Sequence, residues 1–252
     1  VEQFDIFCQK IIPNGTLIYN SEDKEVKKLG EKHQQQIACQ AYHTPTYKAY
    51  KEGCELTFKG EKYPLKIFGG HNLQNLMGAM LVCKQMNIKE QDFLKAMSEF
   101  TGAGKRLEKI TETDEVVLFK DFAHSPSKLK ATTRAVREQY KGWRLIACME
   151  LHTFSSLNKS FLPLYKNTML AADFALVYFN HEVVAHKKLE PISAQLVEKS
   201  FESDVYVTNT TENVLDYIDE NLTKKTVVLM MSSGNFDGID YEQLAQKLTE
   251  KI

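Results

Sequence analysis

The feature that most constrains the fold is a regular alternation of strand-like and helix-like segments after residue 110. Short apolar runs recur between amphipathic stretches with apolar residues at helical spacing. The predicted strands are Val116–Lys120, Arg144–Met149, Phe174–Phe179, Val205–Thr208 and Thr226–Met231. The predicted helices lie near Ser127–Tyr140, Lys159–Ala171, Ser193–Ser200, Thr211–Asn221 and Tyr241–Lys251. This alternation is typical of an α/β fold with a doubly wound, mostly parallel sheet.

The stretch Glu115–Pro126 is the most informative of these units. Four apolar residues in a row are followed by Asp121, His124 and a Ser-Pro pair that opens a helix. In open α/β sheets, ligands bind at the carboxyl ends of the strands, where the backbone amides of a helix N-terminus favour anions. Asp121 and His124 are therefore the first candidate site residues. The same pattern also fits an aspartate that only ends a strand and a histidine that only hydrogen-bonds a loop.

Polar clusters follow three further strands, at Glu150–Ser155, Asn180–Glu182 and Ser232–Gly238. Because the carboxyl ends of parallel strands meet at one edge of a sheet, we expect these clusters to line one crevice. A chance ring of polar loops is the alternative, since loops are generally polar.

The first third of the chain has a different pattern, with short strands and few helices. It predicts a helix over residues 1–12, a strand at Thr16–Tyr19, a helix capped by Ser21 and strands near Gln36–Tyr42. A hairpin is predicted around Gly60 and Glu61. Its two strands are Glu55–Lys59 and Lys62–Ile67.

Two glycines then lead into a helix that carries apolar residues from Leu73 to Leu81, and a second helix follows at Glu90–Phe100. His71 and Asn72 fall at the N-terminus of the first of these helices, where the amides and the helix dipole favour an anion. Asn72 equally fits a simple N-cap.

The segment Thr101–Arg106 contains Gly-Ala-Gly-Lys-Arg but fails the test for a phosphate loop. That motif would need glycine at Glu99 and serine or threonine at Arg106. No other G-x-x-x-x-G-K-[ST] or G-x-G-x-x-G motif occurs in the sequence. Arg106 is better interpreted as a single guanidinium suited to a phosphate contact or to a surface salt bridge.

Charge and cysteine usage narrow the class of protein. The net charge is −1 with both signs interspersed, which argues against a nucleic-acid or membrane surface. The five cysteines never form a C-x-x-C pair, which favours reduced thiols in a cytoplasmic protein over a disulfide or zinc framework. The chain starts with neither methionine nor a signal sequence, so we expect a part of a longer protein.

Three motifs together carry a family resemblance. Gly-x-His-Asn at the helix start, Lys-Arg-Leu-Glu at 105–108 and Asp-Phe-Ala-His-Ser-Pro at 121–126 occur in the order and spacing of the Mur ligases. The chain resembles that family over its whole length. The resemblance implies an incomplete end of a central ATP-binding domain at residues 1–110 and a C-terminal ligase domain at 111–252.

The resemblance also implies the chemistry. Mur ligases use ATP and Mg²⁺ to join an amino acid or peptide to a UDP-sugar precursor, and the metal ligands are expected outside this chain. The ending Met230–Ile239 is most similar to the recycling branch, which joins a tripeptide to UDP-N-acetylmuramate. The alternatives are the branch that adds L-alanine to the same nucleotide sugar and a non-catalytic binding relative with the ligase fold.

Residue roles follow from the same resemblance. It implies catalytic roles for Asp121, His124 and Arg106, and nucleotide contacts from His71, Asn72, Arg106 and Asp121. The implied substrate-binding residues are His124, His152, Ser232, Ser233 and Asn235. The chain departs from the family at Gly70, where arginine is usual, and at 153–158, where arginine-bearing segments are usual.

Overall fold

The computed structural model describes residues 1–51, 53–104 and 106–252. Lys105 of the Lys-Arg-Leu-Glu motif lies outside the described residues. The chain divides into two compact units, Val1–Thr101 and Gly102–Ile252. No helix within the described ranges is both long and apolar enough to cross a membrane.

The first unit contains two small sheets. Strands β1 and β2 pair in parallel, and β3, β4 and β5 form an antiparallel meander. Helix α3 contacts the parallel pair and also contributes Leu73, Leu76 and Met80 to the core under the meander. The elements are α1 Glu2–Gln9, β1 Thr16–Asn20, α2 Lys24–His33, β2 Ala38–Tyr42, β3 Tyr47–Tyr50, β4 Gly53–Phe58, β5 Glu61–Leu65, α3 Gly70–Gln85 and α4 Glu90–Met97.

The predicted hairpin is confirmed as β4 and β5, which are antiparallel neighbours. The predicted cap of α2 is wrong. Asp23 caps this helix, because its Oδ1 accepts hydrogen bonds from the Glu25 and Val26 N–H groups at 3.0 Å. The Ser21 hydroxyl instead donates to the Tyr42 carbonyl.

Gly30 lies in α2 against the ring of Tyr19 on β1. A Cβ atom built there would lie 2.5 Å from the ring. Gly30→Ala should therefore destabilise the chain, because overpacking costs about 1–3 kcal/mol while the helix-propensity gain is at most about 1 kcal/mol. Urea denaturation of both proteins measures the difference.

The matched control for this substitution is Gly70→Ala. A Cβ at Gly70 meets only ordinary contacts, 3.4 Å from Thr44 and 3.7 Å from Tyr47. We expect this control to be neutral or mildly stabilising. A Gly30→Ala protein that is as stable as the Gly70→Ala protein would contradict the close approach of Gly30 to the Tyr19 ring.

The second unit is built on a six-stranded sheet with the order β10-β9-β8-β11-β7-β6. All neighbours pair in parallel except β6, which lies antiparallel to β7 at one edge. The last strand of the chain, β11, is thus inserted between β7 and β8. The strands are β6 Glu108–Glu112, β7 Val116–Asp121, β8 Arg144–Leu151, β9 Phe174–Phe179, β10 Tyr206–Thr208 and β11 Thr226–Met231.

Helices cover both faces of this sheet. On one face, buried side chains of α8 and α9 pack with Leu118, Ile146 and Met230 of the strands. On the other face, Thr133 of α5 contacts Met231 at 3.9 Å. The mostly parallel, doubly wound α/β fold is therefore confirmed. The helices are α5 Pro126–Gln139, α6 His181–His186, α7 Ala194–Phe201, α8 Thr211–Asn221 and α9 Tyr241–Lys251.

The predicted helix at Lys159–Ala171 is wrong, because this segment forms turns around a short 3₁₀ helix, Leu162–Tyr165. Pro163 lacks the N–H that a helix interior needs. Lys166 is extended with ψ 124°, and Asn167 is left-handed with φ +57°. An α-helix cannot run through this backbone.

Candidate functional site

The carboxyl ends of the parallel strands meet at one edge of the second unit. Met231 of β11 lies in register with Asp121 of β7 on one side and with Met149 of β8 on the other. The Ser232 N–H donates to the Asp121 carbonyl at 2.9 Å. The predicted placement of Asp121 and the Ser232–Gly238 loop at one edge is confirmed.

Asp121 is the last residue of β7, and hydrogen bonds from neighbouring groups of the protein hold its side chain. Its Oδ2 accepts from the Leu107 N–H at 2.6 Å, and its Oδ1 accepts from the Ala123 N–H at 2.7 Å and the Thr132 hydroxyl at 3.4 Å. The residue is only 4% exposed. In this arrangement the carboxylate fixes the turn after β7 to the segment before β6, and its ribose contact stays a prediction.

His124 lies in the turn between β7 and α5. Its Nδ1 is 2.8 Å from the Phe122 carbonyl oxygen. A carbonyl only accepts, so Nδ1 carries the proton and, in the neutral ring, Nε2 is left as an acceptor. The hydroxyl of Tyr165 donates to the His124 carbonyl, and burial raises the pKa of this tyrosine, so it remains a donor.

Arg106 lies beside the same turn. Its guanidinium is 5.9 Å from the centre of the Phe122 ring, a cation–π distance, and the Phe122 and His124 rings meet edge to face at 5.0 Å. No carboxylate among the described residues lies within ion-pair distance of Arg106. The exposed guanidinium therefore lies beside Phe122, in the turn that also carries His124, with its charge available to an anion.

Glu150 is a site residue that sequence reasoning named only as part of a polar cluster. It lies near the carboxyl end of β8 and is 3% exposed. Its Oε2 accepts from the Ser232 hydroxyl and from the Phe236 N–H at 2.8 Å. The available signal was a charged residue following an apolar strand, a position shared with Asp121.

His152 follows Glu150 on the same strand end. Its Nδ1 lies 3.2 Å from Glu150 Oε1 without an aligned hydrogen bond. The ring is partly exposed. This places the histidine at the same strand edge as the Ser232–Gly238 loop, where a Cβ atom on Gly234 would lie 3.0 Å from its Nδ1. Its substrate role stays a prediction.

The loop itself holds the three remaining predicted residues of this edge. Ser232 is buried, and its hydroxyl oxygen accepts from the Gly234 N–H at 2.6 Å. The hydroxyl oxygen of Ser233 is buried and has no hydrogen-bond partner among the described residues. Asn235 is exposed, and its side-chain oxygen accepts from the Gly238 N–H at 3.2 Å. Asn235 therefore stabilises the turn, while the Ser233 hydroxyl is left without a hydrogen-bond partner among the described residues.

His71 and Asn72 lie in the first turn of α3, as predicted. The Asn72 interpretation as N-cap is wrong, since Gly69 occupies that position with φ +86° and supplies no side chain. The Asn72 amide instead donates to the Phe68 carbonyl at 2.9 Å, back across the helix start. The half-buried His71 directly precedes it. Their nucleotide role stays a prediction.

A carboxylate network near the same helix was not predicted. Glu22 follows β1 and accepts from the Thr44 N–H at 3.2 Å, from the Thr44 hydroxyl at 2.6 Å and from the Gln74 amide. These hydrogen bonds, led by that of the Thr44 hydroxyl, lower the pKa of Glu22. The network ties α3 to the carboxyl ends of β1 and β2.

The described side chains suit an anion better than a metal ion. Within residues 1–51, 53–104 and 106–252, no group of three or more His, Cys, Asp or Glu side chains is arranged to hold a metal. Arg106, by contrast, presents an exposed guanidinium whose fork geometry matches phosphate. The residues therefore fit contact with a phosphate group.

Comparison with known proteins shows what the chain is similar to. It is 32% identical over 186 residues to a UDP-N-acetylmuramate–L-alanine ligase of Caldicellulosiruptor bescii, which covers 69% of this chain and 40% of that protein. Further relatives at 25–28% identity carry the same name. The chain spans between 39% and 56% of the length of these curated relatives.

Solved structures agree in fold. MurF from Acinetobacter baumannii matches with a TM-score of 0.72 at 15% identity, over 98% of this chain and 54% of that one. A murein peptide ligase from Psychrobacter arcticus matches with a TM-score of 0.62 at 17% identity, over 99% and 53%. At these identities the match shows the fold alone.

A family comparison identifies the part of the chain that contains the candidate site. The family described as Mur ligase, glutamate ligase domain, matches residues 105–234, which is more than half of the chain. These residues include Arg106, Asp121, His124 and Glu150 and reach into the Ser232–Gly238 loop. The chain therefore belongs to the Mur ligase family.

Proposed function

We propose that the full-length protein is an ATP-dependent ligase that joins an amine co-substrate to UDP-N-acetylmuramate. The observation that carries this is the convergence of Arg106, His124 and the Ser232–Gly238 loop at one strand edge of a Mur ligase domain. Residues 1–110 would be the end of the central ATP-binding domain, and residues 111–252 the C-terminal domain.

The proposed reaction has two steps. A carboxylate oxygen of UDP-N-acetylmuramate attacks the γ-phosphorus of ATP, so an acyl phosphate forms and ADP leaves. The amine nitrogen then attacks the acyl carbon, phosphate leaves, and the nitrogen loses a proton as the amide forms. Magnesium, with ligands outside this chain, would offset the phosphate charge.

Within this scheme the predicted catalytic and nucleotide-contacting residues have proposed roles. Arg106 contacts nucleotide phosphate, which its exposed guanidinium supports. His124 offers its Nε2 to the reacting groups. Asp121 links the turn that carries His124 to the segment that carries Arg106, in addition to its proposed ribose contact. His71 and Asn72 meet the adenine side of the nucleotide from the start of α3.

The remaining question is the amine. We propose L-alanine, because four curated relatives that match this chain at 25–32% identity are named for it. The second candidate is the tripeptide L-alanyl-γ-D-glutamyl-diaminopimelate, which the similarity of the ending Met230–Ile239 to the recycling branch favours. Both candidates present an α-amine on an L-alanine residue, so they share the proposed chemistry.

Phosphate release by the full-length protein tests the function. We expect release only when ATP, UDP-N-acetylmuramate and an amine are all present, and a higher kcat/KM for L-alanine than for the tripeptide. The 252-residue chain by itself should release none, because it contains no phosphate-loop motif and phosphoryl transfer depends on electrostatic stabilisation of the phosphates.

The outcomes separate the alternatives. A higher kcat/KM for the tripeptide would assign the recycling activity instead of the L-alanine activity. Absence of release with either amine would reject the ligase function for the full-length protein and favour a non-catalytic relative. Phosphate release by the isolated chain at the full-length rate would contradict the expectation that phosphoryl transfer needs residues outside this chain.

A further inference from the structure

Glu150 occupies an unusual position for a charged side chain. It lies near the carboxyl end of β8, between β9 and β11 in the middle of the sheet, and is 3% exposed. Burying a carboxylate is costly unless donors surround it. The explanation for a glutamate here must therefore lie in its partners.

Those partners come from both halves of the Ser232–Gly238 loop. The Ser232 hydroxyl donates to Oε2 from the start of the loop, and the Phe236 N–H donates to the same oxygen from its far half at 2.8 Å. One buried oxygen thus binds the loop at two points. A carboxyl oxygen has two lone pairs, so it can accept both hydrogen bonds at once.

The loop backbone also rests directly on the carboxylate between these two points. A Cβ atom built on Gly234 would lie 2.9 Å from Glu150 Oε2 and 3.0 Å from His152 Nδ1. Only glycine fits without displacing one of these groups. The path of the loop from Ser232 to Gly234 is therefore set by contact with Glu150.

Other anchors hold a different part of the loop. The Thr211 hydroxyl donates to the Phe236 carbonyl at 2.9 Å, and the Asn180 amide donates to Asp237 at 3.1 Å. Both contacts lie beyond Gly234 in the sequence. Among the described side chains, Glu150 is the one that accepts hydrogen bonds from loop residues on both sides of Ser233.

Ser233 lies inside the segment that Glu150 fixes. Its hydroxyl oxygen is buried and lacks a partner among the described residues. Buried polar atoms are normally hydrogen-bonded. The unpaired Ser233 hydroxyl lies at the strand edge where α/β proteins bind ligands, so it calls for a hydrogen-bond partner from outside the chain. A hydroxyl donates one hydrogen bond, which a carboxylate oxygen accepts.

We propose that Glu150 is a positioning residue, which holds the Ser232–Gly238 loop so that the Ser233 hydroxyl binds a carboxylate of the amine co-substrate. The ligand part of this inference rests on the proposed function. The loop part does not, because it concerns the folded protein alone. The two parts are therefore tested by separate measurements.

Amide hydrogen exchange in the full-length protein tests the loop part. Glu150→Ala removes the acceptor, so exchange in the peptide that contains residues 232–238 should become at least about tenfold faster than in wild type. Glu150→Gln keeps a carbonyl oxygen that can accept from Ser232 and Phe236 and should restore most of the protection. Glu198→Ala, at an exposed position of α7, is the matched control and should leave exchange unchanged.

Steady-state kinetics of the same proteins test the ligand part. Glu150→Ala should raise KM for the amine roughly tenfold or more while changing KM for ATP less than twofold, since about 1.4 kcal/mol corresponds to a factor of ten. Ser233→Ala should show the same selective rise without faster loop exchange. Glu150→Gln should lie close to wild type in both measurements.

Each contrary result is decisive. Unchanged loop exchange in Glu150→Ala would overturn the positioning role. Faster exchange with an unchanged KM for the amine, or an equal rise in KM for ATP, would overturn the Ser233 contact. A wild-type protein that is inactive with both amines would reject the proposed function and with it the ligand part, and exchange alone would then decide the loop part.

Discussion

Replacing Phe236 by alanine is expected to lower the free energy of unfolding of the second unit by about 3–5 kcal/mol, the usual cost of truncating a buried phenylalanine. Phe236 belongs to the Ser232–Gly238 loop, yet its side chain is 0% exposed and joins the core cluster beneath α8 and α9. Its ring centre lies 5.9 Å from that of Tyr178. The cavity left behind would be lined by packed strand side chains. Chemical denaturation followed by circular dichroism measures the change.

The matched control for Phe236 is Phe154→Ala. Phe154 is 61% exposed and contacts the Lys187 ammonium at a cation–π distance of 4.4 Å. Loss of this exposed cation–π contact should lower the free energy of unfolding by at most about 1 kcal/mol. Equal destabilisation by the two substitutions would show that Phe236 does not anchor the loop in the core.

Asp121→Ala is expected to lower the free energy of unfolding by about 2–4 kcal/mol. The substitution leaves the N–H groups of Leu107 and Ala123 without their acceptor, and each unsatisfied buried donor costs about 1–3 kcal/mol. The same denaturation experiment applies. Asp121→Asn should recover part of the loss, because its side-chain oxygen still accepts one of the two bonds.

Asp216→Ala serves as the control for Asp121. Asp216 is exposed on α8, so its removal should change stability by no more than about 0.5 kcal/mol. If Asp121→Ala were as mild as this control, the buried hydrogen bonds would not hold the turn. In the proposed full-length ligase, Asp121→Ala should also reduce turnover, because the turn that carries His124 loses its anchor.

The strands of the second unit were predictable from the sequence, because their apolar runs are continuous and bounded by polar residues. The run Val116–Lys120 differs from the observed β7 only in omitting Asp121. The placement of Asp121 and His124 at a strand end followed from the same local pattern. Local pattern also misled at Lys159–Ala171, where closely spaced apolar residues fill a compact set of turns instead of a helix face.

The partners of the site residues were beyond local reasoning. Glu150 binds groups that lie 82 and 86 residues further along the chain. Those groups become its neighbours only because β11 is inserted next to β8, which no sequence period encodes. The hydrogen bond from the Leu107 N–H to Asp121 could not be predicted either. It depends on how the segment before β6 packs against the end of β7.

The late position of β11 in the chain has a consequence for biosynthesis. Its two neighbours, β7 and β8, are translated long before residues 226–231 leave the ribosome, so each has an unpaired backbone edge facing the gap. Exposed edges of apolar strands are templates for pairing with other chains. A nascent chain stalled before Thr226 would therefore be a substrate for chaperones or aggregation, and a premature stop codon anywhere upstream would remove the strand that joins the two halves of the sheet.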